Sequence, residues 1–126
     1  MDSSIKLSAV FIMILFFPQA SFGDLRTEVQ IVNNLPGGPL LTVHCKSKDD
    51  DLGIHGISSG NQWGFSFKPN IWGTTLFFCS FQWPGSFYHF DIYDDKRDGS
   101  QCSTCVWNIK PTGPCLGDKL CDIWNP

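Results

Sequence analysis

The sequence predicts an all-β fold, specifically a small antiparallel β-sandwich stabilised by disulfides. Apolar residues alternate with polar ones along several stretches, which is typical of half-buried strands. Gly, Pro, Asn and Ser residues that favour turns separate these stretches. Six cysteines occur in only 126 residues, as expected where disulfides supplement a small core. No ten-residue segment combines an amphipathic helical pattern with capping residues.

The first 23 residues have the pattern of a secretory signal peptide. Lys6 precedes an unbroken apolar run at residues 9–17, and residues 18–23 supply small side chains for cleavage. This run is less than half of the about 20 apolar residues that a membrane-spanning helix needs. We therefore expect cleavage after Gly23 and secretion of residues 24–126 as a single domain that is not embedded in a membrane.

Six strands are predicted in the mature part. The clearest lies at residues 62–67, where Trp63, Phe65 and Phe67 alternate with small or polar residues. The others are rich in β-branched or aromatic side chains, and they lie at residues 29–33, 40–45, 74–81, 87–93 and 105–109. Turn signals fall between the strands at residues 35–39, 58–61, 68–70, 83–85 and 110–114.

Aromatic residues are abundant, with five Trp, two Tyr and eleven Phe. Such rings can fill the space between two packed sheets, where each buries about 150–250 Å². We assign this role to the rings of the alternating strands, which are Trp63, Phe65, Phe67, Phe77 and Trp107. Trp72, Trp83 and Trp124 lie beside turns, so the sequence leaves their role open.

The cysteines all lie after the predicted leader, and an even number in a small secreted domain predicts disulfides. They are Cys45, Cys79, Cys102, Cys105, Cys115 and Cys121. The alternative is that the Cys-Ser-Thr-Cys sequence at residues 102–105 is half of a zinc site or a redox pair. A redox cysteine usually lies at a helix N-terminus, whereas a strand is predicted directly after this sequence. Six cysteines allow 15 pairings, and the spacing alone leaves them open.

The sequence offers little material for catalysis. Glu28, the single glutamate, lies beside the mature N-terminus, so a pair of carboxylates in different environments is not evident. His44, His55 and His89 have strand-like flanks, where hydrogen-bonded structural histidines are common. We expect no catalytic residue, no metal and no cofactor. The net charge of −3 argues against nucleic acid as a partner, because binding its backbone requires clustered Lys and Arg.

Two clusters of mixed charge stand out. The first contains Lys46, Lys48, Asp49, Asp50 and Asp51, and the second contains Asp94, Asp95, Lys96, Arg97 and Asp98. Neither has the alternating carboxylates and terminal bidentate acid of a calcium loop. A solvated surface loop is the simpler interpretation, but neighbouring charges of both signs suit contact with a specific partner. We therefore treat Asp49, Asp50 and Asp51 of the first cluster and all five residues of the second as recognition-loop candidates, and we expect Gly53 to close the first loop.

Six ordered blocks cover the mature part of the chain. They read VQIVNN at residues 29–34, LTVHCKSKDDDLG at 41–53, WGFSF at 63–67, TLFFC at 75–79, FDIY at 90–93 and CVWNI at 105–109, followed by GPC at 113–115. Together they resemble the plant self-incompatibility S-protein homologues. This resemblance implies a small secreted, disulfide-stabilised β-sandwich without known enzymatic activity. Founding members of that family are ligands of a pollen plasma-membrane determinant and trigger the rejection of self pollen.

The resemblance also implies roles for particular residues. Cys45, Cys79, Cys105 and Cys115 match the usual cysteines of the family, and we expect the additional Cys102 and Cys121 to pair with each other. Residues 94–101 correspond to a charged, variable loop between two strands, and such loops often carry recognition. We place partner choice there and expect charge reversal at Lys96 and Arg97 to weaken binding without unfolding the protein.

The partner implied by the resemblance is an unidentified plasma-membrane receptor. We expect a monomer in the apoplast that acts in pollen rejection or in developmental or defence signalling. Two alternatives stay open. A glycan-binding defence protein would use exposed Trp72 or Trp83, and a small secreted hydrolase would use His44 or His89 as acid and base.

Overall fold

The protein consists of two β-sheets that enclose a common core, in a computed structural model that describes residues 25–125. The predicted signal peptide and its cleavage site lie outside the described residues. In this range the nine strands are β1 (Thr27–Asn33), β2 (Leu41–Lys46), β3 (Asp51–Ile57), β4 (Gln62–Phe67), β5 (Leu76–Trp83), β6 (Ser86–Asp94), β7 (Thr104–Lys110), β8 (Gly113–Leu116) and β9 (Leu120–Cys121). A short helix, α1 (Asp95–Asp98), follows β6. The predicted all-β class is confirmed.

The first sheet has the strand order β4-β1-β7-β8-β9, and the second has the order β3-β2-β5-β6. Neighbouring strands are antiparallel, apart from β1 and β7, which run parallel with Ile31 opposite Trp107. The parallel pair arises because the chain leaves β4 in the first sheet, builds β5 and β6 in the second, and then returns beside β1. Parallel neighbours need such a long crossover connection.

The core is formed by the inward-facing residues of both sheets. Val29 of the first sheet and Phe81 of the second are completely buried. The rings predicted to fill the core all lie there, with Phe67, Phe77 and Trp107 buried and with Trp63 and Phe65 partly buried against them. Period-two alternation therefore identified the core face of β4 and β7 correctly.

Trp124 belongs to the core as well. Its ring stacks on Tyr88 with centroids 4.9 Å apart, and its Nε1 donates a hydrogen bond to the carbonyl oxygen of Lys110 at 3.0 Å. Trp83 is partly buried beside it, with 6.0 Å between the ring centroids. The C-terminal residues thus cover one side of the sandwich, whereas Trp72 stays 79% exposed.

Three strands were not predicted. The strand β3 (Asp51–Ile57) contains an aspartate and two glycines, which disfavour a strand locally, yet pairing with β2 forms it. Gly53, expected to close a loop, instead lies inside β3 with φ +82°, next to a register shift in the β2–β3 pairing that is typical of a bulge. The short strands β8 and β9 were missed because their Gly-Pro-rich surroundings indicated turns.

Asn33 is a buried polar residue that connects three segments of the chain. Its Nδ2 donates to the carbonyl oxygens of Pro39 and Ile57 at 2.9 Å each. Its Oδ1 accepts from the backbone N–H of Leu35 at 3.1 Å. Since a buried amide is stable only when it is hydrogen-bonded, these bonds fix the turn after β1 against the end of β3.

All six cysteines form disulfides, which are Cys45–Cys79, Cys102–Cys105 and Cys115–Cys121. The expected pairing of Cys102 with Cys121 is therefore wrong. The pairing of β8 with β9 places Cys121 directly opposite Cys115, and Cys102 lies three positions before Cys105 in the connection that leads into β7. Each additional cysteine thus bonds to a neighbouring member of the usual set.

Candidate recognition surface at one end of the sandwich

Three connections meet at one end of the sandwich, which we call the loop end. They are the β2–β3 turn at residues 47–50, the β4–β5 loop at residues 68–75 and the β6–β7 connection at residues 95–103. The strand register brings them together, because Lys46 pairs with Phe78 and Leu76 pairs with Asp94 across the second sheet. Both charged clusters of the sequence therefore lie at the loop end.

The β2–β3 turn carries most of the first cluster. The backbone N–H of Ser47 donates to the carbonyl oxygen of Asp50 at 2.8 Å, and the N–H of Asp50 donates to Ser47 Oγ at 3.1 Å. These bonds close the turn through the backbone and Ser47. The side chains of Lys48, Asp49 and Asp50 are exposed and are available to a partner.

Asp51 differs from its two neighbours because it is the first residue of β3. Its Oδ1 accepts from the N–H of Gly53 at 2.9 Å and lies 2.7 Å from Nε2 of His44 on β2. The hydrogen bond from Gly53 is the main cause, and the bond with His44 the second, of a pKa of Asp51 below its ordinary value of 3.8. Of the three aspartates in the first cluster, Asp51 is the one that connects two strands.

The second cluster begins at the N-terminus of α1. Asp94 is the N-cap residue, and its Oδ1 accepts from the N–H of Lys96 at 3.1 Å, as is typical of a capping aspartate. Asp95 Oδ1 accepts from the hydroxyl of Tyr93 at 2.8 Å. Burial is the main cause, and this hydrogen bond the second, that raises the pKa of Tyr93 to about 12. Lys96 is exposed.

Arg97 and Asp98 form an ion pair between a half-buried guanidinium and a buried carboxylate. Arg97 Nε and Nη2 donate to Asp98 Oδ1 and Oδ2 at 2.7 Å each, and Asp98 is 1% exposed. Burial opposes the charge on Arg97, but the hydrogen bonds and charge of Asp98 outweigh it and raise the pKa of Arg97 above its ordinary value. A solvated loop was one interpretation of this cluster, and it is wrong for Asp98, because a buried carboxylate requires its cation.

The β4–β5 loop contributes residues that the sequence did not assign to receptor binding. Ile71 is 88% exposed and Trp72 is 79% exposed at its tip. Trp72 was considered only for the alternative of a glycan-binding protein, and Ile71 was not considered. An apolar pair directly after the Lys-Pro-Asn turn signal is the local pattern that could have identified this tip.

A cleft of about 780 Å³ lies between the β2–β3 turn and the β4–β5 loop. The residues that line it include Lys48, Asp49 and Asp50 of the turn and Lys68, Asn70, Thr74 and Thr75 of the loop. The carbonyl oxygen of Thr75 also accepts from the N–H of Asp95 at 3.1 Å. The β4–β5 loop therefore lies between the two charged clusters.

Two of the three histidines, His44 and His89, line one cavity of about 210 Å³ beside Ser80, and His55 lies elsewhere. His44 bonds to the first residue of β3, as described above, and His55 Nε2 lies 2.7 Å from the carbonyl oxygen of Leu52. His89 packs on Phe87 with 5.1 Å between the ring centroids. Among residues 25–125, no group of three or more His, Cys, Asp or Glu side chains is placed to hold a metal ion.

Residues 28–124 match the profile of the family described as plant self-incompatibility protein S1. The chain belongs to this family. S-protein homolog 5 of Arabidopsis thaliana is 48% identical over 126 residues, which cover 95% of this chain and 98% of that relative. S-protein homolog 3 of the same plant is 37% identical over 145 residues, covering 99% and 97% of the two chains. The resemblance inferred from the sequence blocks is confirmed.

The fold of the family is known from a solved structure of an SPH (self-incompatibility protein homologue) protein. It superposes with a TM-score of 0.59 at 19% identity and covers 83% of this chain and 99% of its own. That structure represents a widespread family of small, highly stable, secreted proteins from plants. Within the part of our chain that the structure describes, no helix is long and apolar enough to cross a membrane.

Proposed function

We propose that this S-protein homologue is a secreted ligand in plant cell–cell recognition, and that the loop end binds a plasma-membrane receptor. The observation that carries the proposal is the convergence of two mixed-charge clusters on one end of the sandwich. Pollen rejection, developmental signalling and defence signalling are the settings in which such a ligand would act.

The exposed charges of the loop end support recognition of a specific partner. Lys48, Asp49 and Asp50 are exposed on one side of the β4–β5 loop, and Lys96 is exposed on the other side. Charges of both signs at fixed positions select a partner with the complementary pattern and penalise others. Binding rather than catalysis is also the function suggested by the family, whose members are not known as enzymes.

A rigid framework holds these charges in place. The Cys45–Cys79 disulfide connects β2 to β5. Strand β2 leads into the β2–β3 turn, and β5 follows the β4–β5 loop. The Ser47–Asp50 and Asp95–Thr75 hydrogen bonds fix the connections themselves. A surface organised before binding loses less conformational entropy when its partner arrives.

The test is saturable binding of the oxidised mature protein, residues 24–126, to plasma membranes from pollen tubes and from vegetative tissue of the same plant. We expect saturable binding to at least one membrane, with a tissue preference that distinguishes pollen rejection from another signalling role. Lys48→Glu should weaken that binding. Lys110→Glu is the control, because Lys110 is the last residue of β7, at the end of that strand away from the β6–β7 connection.

The absence of saturable binding to either membrane would contradict the proposal. Equal binding by the two charge-reversed variants would show that a receptor is bound through another surface. A soluble target, beginning with glycans, would then be the next candidate.

A further inference from the structure

Ile71 and Trp72 are the only two exposed large apolar residues that are adjacent in the chain within residues 25–125. They are 88% and 79% exposed and adjacent, and neither belongs to the core or to the partly buried residues packed against it. Single exposed apolar residues are ordinary, but a neighbouring Ile and Trp at a loop tip present a large apolar surface to water. Since neither side chain packs in the core, burial in this chain does not explain why both are apolar.

The backbone of the tip is organised without these two side chains. Asn70 Oδ1 accepts from the N–H groups of Trp72 and Thr74 at 3.1 Å each, and Asn70 Nδ2 donates to Thr74 Oγ1 at 3.1 Å. The N–H of Asn70 donates to Thr75 Oγ1 at 2.8 Å. The tip therefore holds the two apolar side chains on a preorganised turn, which is the arrangement of a binding anchor.

The charges around the tip identify the class of partner. Lys68 and Lys48 lie along the cleft together with Asp49 and Asp50, and Asp95 contacts the other side of the loop through its bond to Thr75. An anionic bilayer attracts a surface with an excess of cations, whereas the cations around the tip, which include Arg26 in the same cleft, are balanced by three carboxylates. Charges of both signs around an apolar centre instead match the polar rim and apolar core of a protein–protein interface.

We propose that Ile71 and Trp72 form a hydrophobic anchor that enters an apolar pocket of a protein partner, whose rim carries charges of both signs. This inference rests on the proposed function and adds the energetic centre of the binding surface. Tryptophan is enriched among the few residues that dominate interface affinity. The charged clusters would then determine which partner presents the pocket.

The experiment compares four oxidised proteins in saturation binding to plasma membranes: the native chain, Trp72→Ala, Trp72→Phe and Ile71→Ala. We expect Trp72→Ala to weaken binding about thirtyfold, as for an interface hot spot, with partial recovery in Trp72→Phe. Ile123→Ala is the matched control, because Ile123 is 84% exposed outside the loop end, and it should bind as the native chain does. All variants should keep the native unfolding midpoint, since the replaced side chains lie outside the core.

Two further assays distinguish a protein partner from a lipid surface. One uses protease-treated membranes, and the other uses vesicles made from lipids extracted from the same membranes. Loss of binding in both supports a protein partner. Tryptophan-dependent binding to the lipid vesicles would overturn the inference in favour of a lipid surface, and competition by plant glycans would overturn it in favour of a lectin.

The inference and the proposed function can fail separately. If the native protein binds saturably and Trp72→Ala binds equally well, the anchor is wrong and the ligand role stands. If the native protein shows no saturable binding, both are contradicted.

Discussion

Arg97 and Asp98 are adjacent in sequence and form a two-pronged ion pair, with Nε to Oδ1 and Nη2 to Oδ2 both at 2.7 Å. The guanidinium also lies over the rings of Phe90 and Trp107, at 4.9 and 5.0 Å from their centroids. Arg97 Nη2 donates further to the carbonyl oxygen of Asp91 at 2.7 Å. One side chain thus connects α1 to both sheets.

We predict that Arg97→Ala lowers the free energy of unfolding by about 3 kcal/mol, because it leaves the buried Asp98 carboxylate without its cation. Chemical denaturation followed by tryptophan fluorescence measures the change. Lys96→Ala is the neighbouring control, and because Lys96 is exposed its effect should be within about 0.5 kcal/mol. Equal stability of the two variants would contradict the structural role of the pair. Charge reversal for partner binding therefore belongs at Lys96, not at Arg97.

The disulfide pairing predicts a simple peptide map. Cleavage of the non-reduced protein after Arg97 and after Trp107 should release residues 98–107 as a single peptide that contains an internal disulfide. Further cleavage after Lys119 should leave residues 108–119, with Cys115, linked through a disulfide to residues 120–126, with Cys121. Mass spectrometry before and after reduction measures this. A peptide of residues 98–107 attached to Cys121 would restore the pairing that the sequence suggested.

The disulfides should contribute unequally to stability. Cys45–Cys79 closes a loop with a sequence separation of 34, whereas Cys102–Cys105 has a separation of 3. Loop-closure entropy alone predicts about 4 kcal/mol for the first and about 2 kcal/mol for the second. Unfolding of the C45A/C79A and C102A/C105A double variants tests the order. A greater loss from C102A/C105A would show that the short disulfide stabilises the native state by another route.

Gly113 should not tolerate any side chain, because an added Cβ would overlap the backbone carbonyl oxygen of Asp122. We predict that Gly113→Ala displaces the C-terminal residues that hold Trp124 in the core and lowers the free energy of unfolding by about 2–3 kcal/mol. Gly56→Ala is the control, since its Cβ would meet Leu40 at an ordinary 3.5 Å. A Gly113 variant as stable as the Gly56 variant would contradict this close approach.

Tyr93 makes the fold sensitive to high pH. Its pKa is raised from 10.0 to about 12 in the folded protein, so unfolding favours ionisation between these values. The stability that depends on the neutral phenol is complete below pH 10.0 and is lost as the pH rises towards about 12. In a titration to high pH, the ultraviolet absorbance of tyrosinate should show one group that ionises above its ordinary pKa, and Tyr93→Phe should remove it. Ionisation of that group near its ordinary pKa in the folded protein would refute the prediction.

The core of the sandwich could be predicted because its signal is local. The alternation of Trp63, Phe65 and Phe67 predicts which face of β4 lies inward, since successive side chains of a strand point to opposite faces. The same holds for β7 around Trp107. The family, too, was recognisable from short blocks that each lie within one strand or turn.

The candidate surface was only partly predictable. The two charged clusters are visible in the sequence, but whether Asp51 and Asp98 face a partner depends on His44, Gly53 and Arg97, whose positions follow from folding. Ile71 and Trp72 carry no helical or strand period that would set them apart. Their significance arises from exposure, which no local pattern states.

By itself, the sequence determined the all-β class, the six principal strands, the rings that fill the core and the family. Only the tertiary structure decided the partner of Cys45, the existence of β3, the parallel pairing of β1 with β7 and the meeting of both charged clusters at the loop end. The physical reason is range. Alternation and turn chemistry act between near neighbours in the chain, whereas the Cys45–Cys79 disulfide, the strand registers and the meeting of the clusters depend on residues that folding brings together from distant positions.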